Sequence, residues 1–172
     1  MGSALAIGVH LAPPARVNPP VSLDLADEAI ARSVLALQRE AYAVEAAIIG
    51  SDGIPALTET LEALRASGED WLGVIDVDGL TGAIAWQVLD DGTVDICRLV
   101  VAPRAFRRGV ARSLLDALEA RFPDRPMIVS TGRDNHPALA LYRARGFRAV
   151  RDREPIPGLF ITELERPGRD PA

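Results

Sequence analysis

Two Asp-Gly pairs, Asp78-Gly79 and Asp91-Gly92, divide the middle of the chain into three strand-like runs. The runs are WLGVIDV at residues 71–77, LTGAIAWQVL at 80–89 and TVDICRLVV at 93–101. Asp-Gly between such runs is a strong short-range signal for a tight hairpin turn, because both residues tolerate the backbone angles that the turn needs. The sequence therefore predicts an antiparallel three-strand meander, and the rest of the chain has to cover a sheet.

The segments that follow the meander alternate between helix and strand patterns. Predicted helices at 109–121 and 135–145 alternate with predicted strands at 126–131, 147–152 and 159–165. The segment REPIPG forms the last turn. A strand, a helix and a strand in succession form a crossover, so the strand after the first of these helices should run parallel to the third meander strand. The prediction is an α/β fold (an α+β mixed sheet), with a mostly antiparallel, twisted sheet and helices on both of its faces.

The N-terminal third carries two further helical patterns. Apolar residues at helical spacing predict a long helix over 24–49 and a shorter one over 55–66. The prolines before them predict an N-terminal arm and a Pro-rich connector over 1–22. We therefore expect one domain over 23–166, followed by a tail at 167–172.

Charge and cysteine content exclude several classes of protein. The chain carries 19 Lys and Arg against 24 Asp and Glu, a formal net charge of −5, so a general affinity for nucleic acid or anionic lipid is not expected. The one cysteine, Cys97, excludes an intrachain disulfide, and no Cys/His spacing indicates a metal site. The chain start lacks the pattern of a signal sequence or a membrane span. These features favour a cytoplasmic protein with neither nucleic acid nor membrane as a partner.

The run FRRGVA at residues 106–111 is the first candidate site. Together with Arg104 and Arg112 it holds four arginines within nine residues, and it lies where the third meander strand turns into a helix. Amides in a first helical turn lack intrahelical acceptors, and the helix dipole adds positive charge there, so such a turn can bind an anion. Gly109 lets an anion approach the backbone closely. A solvated helix end is the alternative, and nucleic acid is disfavoured because Phe106 is the only aromatic residue nearby.

A second segment, NHPALALYRARGF at residues 135–147, resembles a motif of the GNAT superfamily of N-acetyltransferases. The FRRGVA run is similar to the pyrophosphate loop of the same family, Arg/Gln-x-x-Gly-x-Gly/Ala, with Phe106 in place of the Arg or Gln. The resemblance covers about residues 71–165. The motif Asn-x-x-Ala-x-x-Leu-Tyr-x-x-x-Gly-Phe is complete in this chain as Asn135, Ala138, Leu141, Tyr142, Gly146 and Phe147.

The resemblance implies transfer of an acetyl group from acetyl-CoA to an amine. It implies that the strand edge at 99–101 pairs with the pantetheine arm, that Asn135 contacts the cofactor, and that Tyr142 contacts it and protonates the departing thiolate. Asn135 can also cap its helix. The two residues are seven apart, two helical turns, so they share one helix face about 10 Å from each other. The residues implied in cofactor binding are Leu99, Val100, Val101, Phe106, Arg107, Arg108, Gly109, Val110, Ala111, Arg112, Asn135 and Tyr142.

The general base and the acceptor stay open at the level of sequence. Many relatives have a glutamate where this chain has Cys97, so the candidates for the base are Asp95 on the same strand and Glu45 on the first helix, acting through water. Period-two alternation places Asp95, Cys97, Leu99 and Val101 on one face unless a bulge intervenes. The acceptor is expected to be an amine of a small molecule or a peptide, and a homodimer is compatible with the sequence. The alternative is a CoA-binding sensor or interaction module of the same fold with weak catalysis.

Overall fold

The computed structural model describes residues 17–50 and 57–168 of the chain. These ranges leave out residues 1–16 of the arm and connector predicted over 1–22, the predicted start of the second helix at residue 55, and residues 169–172 of the tail predicted over 167–172. The helices are α1 (Glu28–Ile49), α2 (Leu61–Arg65), α3 (Val110–Arg121) and α4 (His136–Arg143), with a 3-10 turn at Pro103–Ala105. The strands are β1 (Val21–Ser22), β2 (Asp70–Asp76), β3 (Gly79–Val88), β4 (Val94–Val101), β5 (Met127–Gly132), β6 (Arg148–Ile156) and β7 (Leu159–Arg166).

The seven described strands form one mixed sheet. Their order is β1-β2-β3-β4-β5-β7-β6. The predicted meander is confirmed as β2, β3 and β4, and the crossover through α3 makes β4 and β5 parallel, as predicted. Helices α1 and α3 both contact β3 and β4. They cover opposite faces of the sheet, because Gly82 faces Val110 of α3, whereas Arg98, paired with Ala85, donates a hydrogen bond to Gln38 of α1. The predicted fold class is therefore confirmed. No helix in the described ranges is both long and apolar enough to cross a membrane.

The core lies between the sheet and its helices. Helix α3 packs closely against β3 at Gly82, because a Cβ placed on Gly82 would lie 2.4 Å from Val110 Cγ1. Apolar burial of this kind is the main favourable contribution to folding. The largest side chains with under 2% exposure include Val34, Leu64, Ile84, Trp86, Val94, Leu114, Leu115, Leu118, Met127 and Leu164.

Two helices begin later than the sequence predicts. The long helix begins at Glu28 rather than at residue 24, because Asp27 caps it by accepting a hydrogen bond from the Ala29 N–H at 2.8 Å. The second predicted helix shortens to the single turn Leu61–Arg65, because Thr60 caps it by accepting from the Ala63 N–H. In both segments a side-chain cap nearer the buried residues decides where the helix starts.

Strand β6 is longer than predicted. It continues through Arg153 and Pro155 to Ile156, where the sequence predicts a turn over 153–158. Proline is tolerated because β6 is the last strand of the described sheet, and the pairing with β7 is irregular between Arg153 and Ile156. The turn is therefore reduced to Pro157 and Gly158.

Candidate active site

One cavity of about 1190 Å³ opens at the middle of the sheet. Its wall is formed by α1, β4, β5, the turn before α3, the start of α4 and the β6–β7 hairpin. The structure thus brings together residues that are far apart in sequence. Every predicted site residue lines this cavity except Asp95.

The cavity exists because β4 and β5 separate. They pair only where Val94–Ile96 meet Met127–Val129. Beyond that point residues 97–101 and 130–132 line the two sides of the cavity. No strand of the described chain pairs with the β5-facing edge of residues 97–101, so that edge can receive an extended ligand arm by main-chain hydrogen bonds.

A bulge in β4 marks the start of this separation. Ala85 of β3 pairs with Arg98, whereas the next residue, Trp86, pairs with Ile96. Cys97 is therefore the extra residue of the bulge and has no partner on β3. Bulges of this kind bend a strand and redirect its side chains.

The shared face was predicted for Asp95, Cys97, Leu99 and Val101 unless a bulge intervenes, and this bulge is that exception. Cross-strand partners lie on the same face of a sheet. Asp95 lies opposite Gln87 of β3, and Val101 lies opposite Gly82 of β3. Gln87 and Gly82 are five residues apart, and residues an odd number apart on a strand point to opposite faces of the sheet. Asp95 is therefore on the α1 side, whereas Leu99 and Val101 are on the α3 side.

The turn before α3 has the backbone geometry of an anion site. Arg107 and Gly109 both have left-handed backbones, with φ of +61° and +86°. The first hydrogen bond of the helix runs from the Ser113 N–H to the Gly109 carbonyl, and no side chain caps this end. The amides of residues 110–112 therefore have no intrahelical acceptor, and they lie at the cavity wall.

Three of the four arginines near this turn line the cavity. Arg104 does not, because it donates a hydrogen bond to the Leu80 carbonyl at 3.0 Å on the other side of the turn. Arg108 forms an ion pair with Asp76, with 3.5 Å between Arg108 Nη1 and Asp76 Oδ2. Arg107 and Arg112 form no ion pair with any described residue. The cavity wall at this turn is thus basic, although the whole chain is acidic.

Helix α4 presents the two predicted cofactor contacts. Asn135 caps the helix, its Oδ1 accepting from the Ala138 N–H at 3.2 Å, which leaves its side-chain amide nitrogen as a donor at the cavity. Tyr142 lies further along the helix with 4% exposure, and its ring packs edge-on against Phe147 at 5.5 Å between centroids. Both side chains line the cavity.

Tyr142 is held in the protonated form. Burial raises the pKa of its hydroxyl well above the usual value, and electrostatic interaction with Tyr42 and Glu45 raises it further. No described group hydrogen-bonds this hydroxyl. Tyr142 is therefore a proton donor at the cavity wall over the whole neutral range.

The structure separates the two candidate bases. Glu45 lines the cavity, and its Oε1 accepts long hydrogen bonds from Thr131 Oγ1 at 3.5 Å and from the Gly132 N–H at 3.4 Å. Asp95 is half-buried outside the cavity, and burial raises its pKa. Cys97 lines the cavity, but burial followed by the charges of nearby carboxylates raises its pKa to about 12. Glu45 is the one carboxylate of the described chain on the cavity wall.

Two residues at the cavity have no catalytic or binding role assigned from the sequence. Tyr42 lies on α1 three residues before Glu45 and lines the cavity beside it. Arg98 follows the bulge and binds Glu59 and Glu69, which come from segments distant in sequence. Only the tertiary structure brings these charges together, although the spacing of Tyr42 and Glu45 on one helix face is visible in the sequence. No group of three or more His, Cys, Asp or Glu within residues 17–50 and 57–168 could hold a metal ion.

Comparison with known proteins agrees with this geometry. The sequence pattern of the acetyltransferase (GNAT) family matches residues 34–147, which include most of α1, the meander, the turn before α3, and α4. The chain therefore belongs to the GNAT family, whose co-substrate is acetyl-CoA.

Relatives share the domain rather than the whole length. The UPF0157 protein YqkA of Bacillus subtilis strain 168 is 39% identical over 134 residues, which are 77% of this chain and 39% of that protein. The mycothiol acetyltransferase of Geodermatophilus obscurus is 36% identical over 136 residues, which are 75% of this chain and 41% of that protein. The chain thus spans about two fifths of the length of these curated relatives.

A solved structure shows the same fold at low identity. The histone acetyltransferase HPA2 and related acetyltransferase from Corynebacterium glutamicum superposes with a TM-score of 0.71 at 15% identity. The superposition covers 91% of this chain and 99% of that one. The likeness concerns the fold.

Proposed function

We propose that this protein transfers an acetyl group from acetyl-CoA to an amine. The observation that carries the proposal is the single cavity in which an unpaired β4 edge, an uncapped helix start, a buried tyrosine and one carboxylate meet. Transfer of an acetyl group from a CoA thioester to an amine can use each of these parts. The acceptor is an amine of a small molecule or a peptide.

The chain offers a continuous path for the CoA molecule. The amides of residues 110–112 and the cations Arg107 and Arg112 suit a pyrophosphate, because backbone N–H groups at a helix start bind anions without a side-chain partner. The exposed edge of β4 suits the amide groups of the pantetheine arm. Asn135 adds a donor at the cavity wall between these segments and Tyr142.

The side chains then divide the proton transfers. Glu45, directly or through water, takes the proton of the bound ammonium, so that the neutral amine attacks the thioester carbonyl and a C–N bond forms as the C–S bond breaks. The hydroxyl of Tyr142 donates its proton to the departing sulfur. As the amide forms, the attacking nitrogen loses its second proton to the Tyr142 phenolate through solvent, and Glu45 releases its own proton to solvent. Asp95 is not used, because it lies outside the cavity.

Purified protein tests the proposal through release of free thiol from acetyl-CoA with a panel of amines. We expect thiol release that depends on the amine, together with a product heavier than the amine by one acetyl group. The second candidate function is a CoA sensor. It is favoured by two departures from the family pattern: Cys97 replaces the glutamate of many relatives, and Phe106 replaces the usual Arg or Gln. Tight CoA binding without turnover on any amine would establish the sensor and exclude the enzyme.

A further inference from the structure

We propose that the acceptor end of the cavity selects amines that carry a second positive charge and rejects amines that carry a carboxylate. The inference rests on the proposed transfer to an amine. The selectivity is inferred from the charged side chains at the acceptor end of the cavity and from whether each one is free to bind a ligand. Glu45 and Arg98 are the charged residues that line the cavity away from the turn before α3.

Arg98 has no capacity left for a ligand carboxylate. Its Nη2 donates to Glu59 Oε1 at 3.0 Å and to Glu69 Oε1 at 3.2 Å. Its Nη1 donates to Gln38 Oε1 at 2.8 Å and to Glu59 Oε2. Its Nε lies 2.8 Å from Glu69 Oε2, a close ion pair rather than an aligned hydrogen bond. All three guanidinium nitrogens are therefore occupied.

The cluster around Arg98 is negative. Two carboxylates, Glu59 and Glu69, face one guanidinium, which leaves one formal negative charge. These side chains are 15% and 9% exposed, so water screens the charge only weakly. Burial raises the pKa of the adjacent Tyr42 hydroxyl, and the surrounding carboxylates raise it further against the opposing effect of the guanidinium. The field at the acceptor end is thus negative.

Glu45 adds to this field and faces the ligand. It makes only long hydrogen bonds, at 3.4 and 3.5 Å, so it can bind an ammonium group. Apart from Arg98, the basic residues of the cavity are Arg107, Arg108 and Arg112 at the other end, where the pyrophosphate is proposed to bind. A carboxylate on the acceptor would meet no free cation of the described chain at its own end. Like charges brought together in this way oppose binding, whereas a second ammonium is attracted.

Three amines of equal chain length test the proposal: 1,5-diaminopentane, pentylamine and 5-aminopentanoate. With saturating acetyl-CoA and low salt, we expect kcat/KM to fall by about tenfold at each step in this order, the effect of one unit charge acting over about 12 Å at an effective dielectric constant near 20. If none of the three is acetylated, the same end groups are placed on an amine that the wider panel shows to react. Equal or faster turnover of the carboxylate overturns the inference and leaves the acetyltransferase proposal standing. Absence of turnover on every amine is a failure of the proposed function itself.

Matched variants attribute the selection to the cluster. Glu69→Gln keeps the shape of the side chain and removes one charge, so the preference for the diamine over 5-aminopentanoate should shrink by about tenfold. Glu165→Gln makes the same chemical change on the exposed outer face of β7 and should leave the preference unchanged. Glu59→Gln repeats the test if Glu69→Gln does not fold. An equal effect of the cluster variant and of Glu165→Gln contradicts the inference.

Discussion

Gly82 lies directly beneath the proposed pyrophosphate turn, and Gly82→Ala is expected to weaken CoA binding without touching the ligand. The added Cβ would lie 2.4 Å from Val110 Cγ1, 3.2 Å from Leu114 Cδ1 and 3.3 Å from the Val100 carbonyl oxygen. Carbon atoms in contact ordinarily lie about 3.5–4.0 Å apart, so Val110 has to move by about 1 Å. Its amide is one of the three that are proposed to bind phosphate.

Two magnitudes follow from this displacement. Overpacking costs about 1–3 kcal/mol in the free energy of unfolding, and each kcal/mol lowers Tm by about 2–4 °C in a chain of this size. Loss of one hydrogen bond to a charged group costs about 1.5–3 kcal/mol, so the Kd for CoA should rise by about tenfold or more.

Calorimetric titration with CoA and thermal unfolding measure the two effects separately. Gly73→Ala is the matched control, because its Cβ meets the side-chain ends of Leu23 and Leu80 at 2.7 and 2.8 Å, at positions that do not line the cavity. That variant should lose stability and keep its affinity for CoA. The reasoning is refuted if folded Gly82→Ala binds CoA as tightly as the wild type, or if Gly73→Ala loses affinity to the same extent.

Four further predictions concern the side chains around the cavity. Tyr142→Phe should lower kcat by about 10²–10⁴-fold with an unchanged Kd for acetyl-CoA, measured by steady-state kinetics and calorimetry; an unchanged kcat would remove Tyr142 from the mechanism. Glu45→Gln should lower kcat/KM in the same assay while Asp95→Asn leaves it within about twofold, and the opposite order would reassign the base. Burial raises the pKa of Tyr42 and Tyr142, so their contribution to stability is intact below the unfolded value of about 10 and is lost as the pH rises beyond it; urea unfolding at pH 8 and 10.5 should show a fall that is smaller in Tyr142→Phe. Glu59→Gln should lower the free energy of unfolding by about 1–3 kcal/mol, because it removes the charge that two hydrogen bonds of the Arg98 guanidinium rely on, and an unchanged Tm would contradict that role.

The fold was predictable where local chemistry decides it. Gly79 and Gly92 make the two meander turns predictable, because both have left-handed backbones, with φ of +97° and +86°, that favour glycine. The parallel pairing of β4 and β5 follows from the strand–helix–strand order alone. The prediction was wrong where a competing local signal decides, as at the cap Thr60 and at Pro155 in the edge strand.

The site was predictable in its motif residues and not in its acid–base chemistry. The candidate roles of Gly109 and Tyr142 follow from two short sequence motifs, and both residues line the same cavity in the structure. The difference between Glu45 and Asp95 is that only Glu45 lines the cavity, and the one-residue bulge at Cys97 puts Asp95 on the opposite face from Leu99 and Val101 without a sequence signal. The charge cluster of Arg98 joins residues from four segments, which no periodicity connects.

The affinity of Gly109→Glu for CoA tests the central claim most directly. A glutamate at this position places a negative charge and added bulk at the proposed pyrophosphate site, so calorimetry should show at least a hundredfold loss of affinity, as expected for replacing a charge-assisted contact by like-charge repulsion of several kcal/mol. Gly79→Glu is the matched control, because Gly79 also has a left-handed backbone, with φ of +97° against +86°, and lies in open space at the β2–β3 turn. We predict that Gly79→Glu binds CoA like the wild type. Equal CoA affinity of Gly109→Glu and Gly79→Glu would contradict the assignment of this cavity to acetyl-CoA.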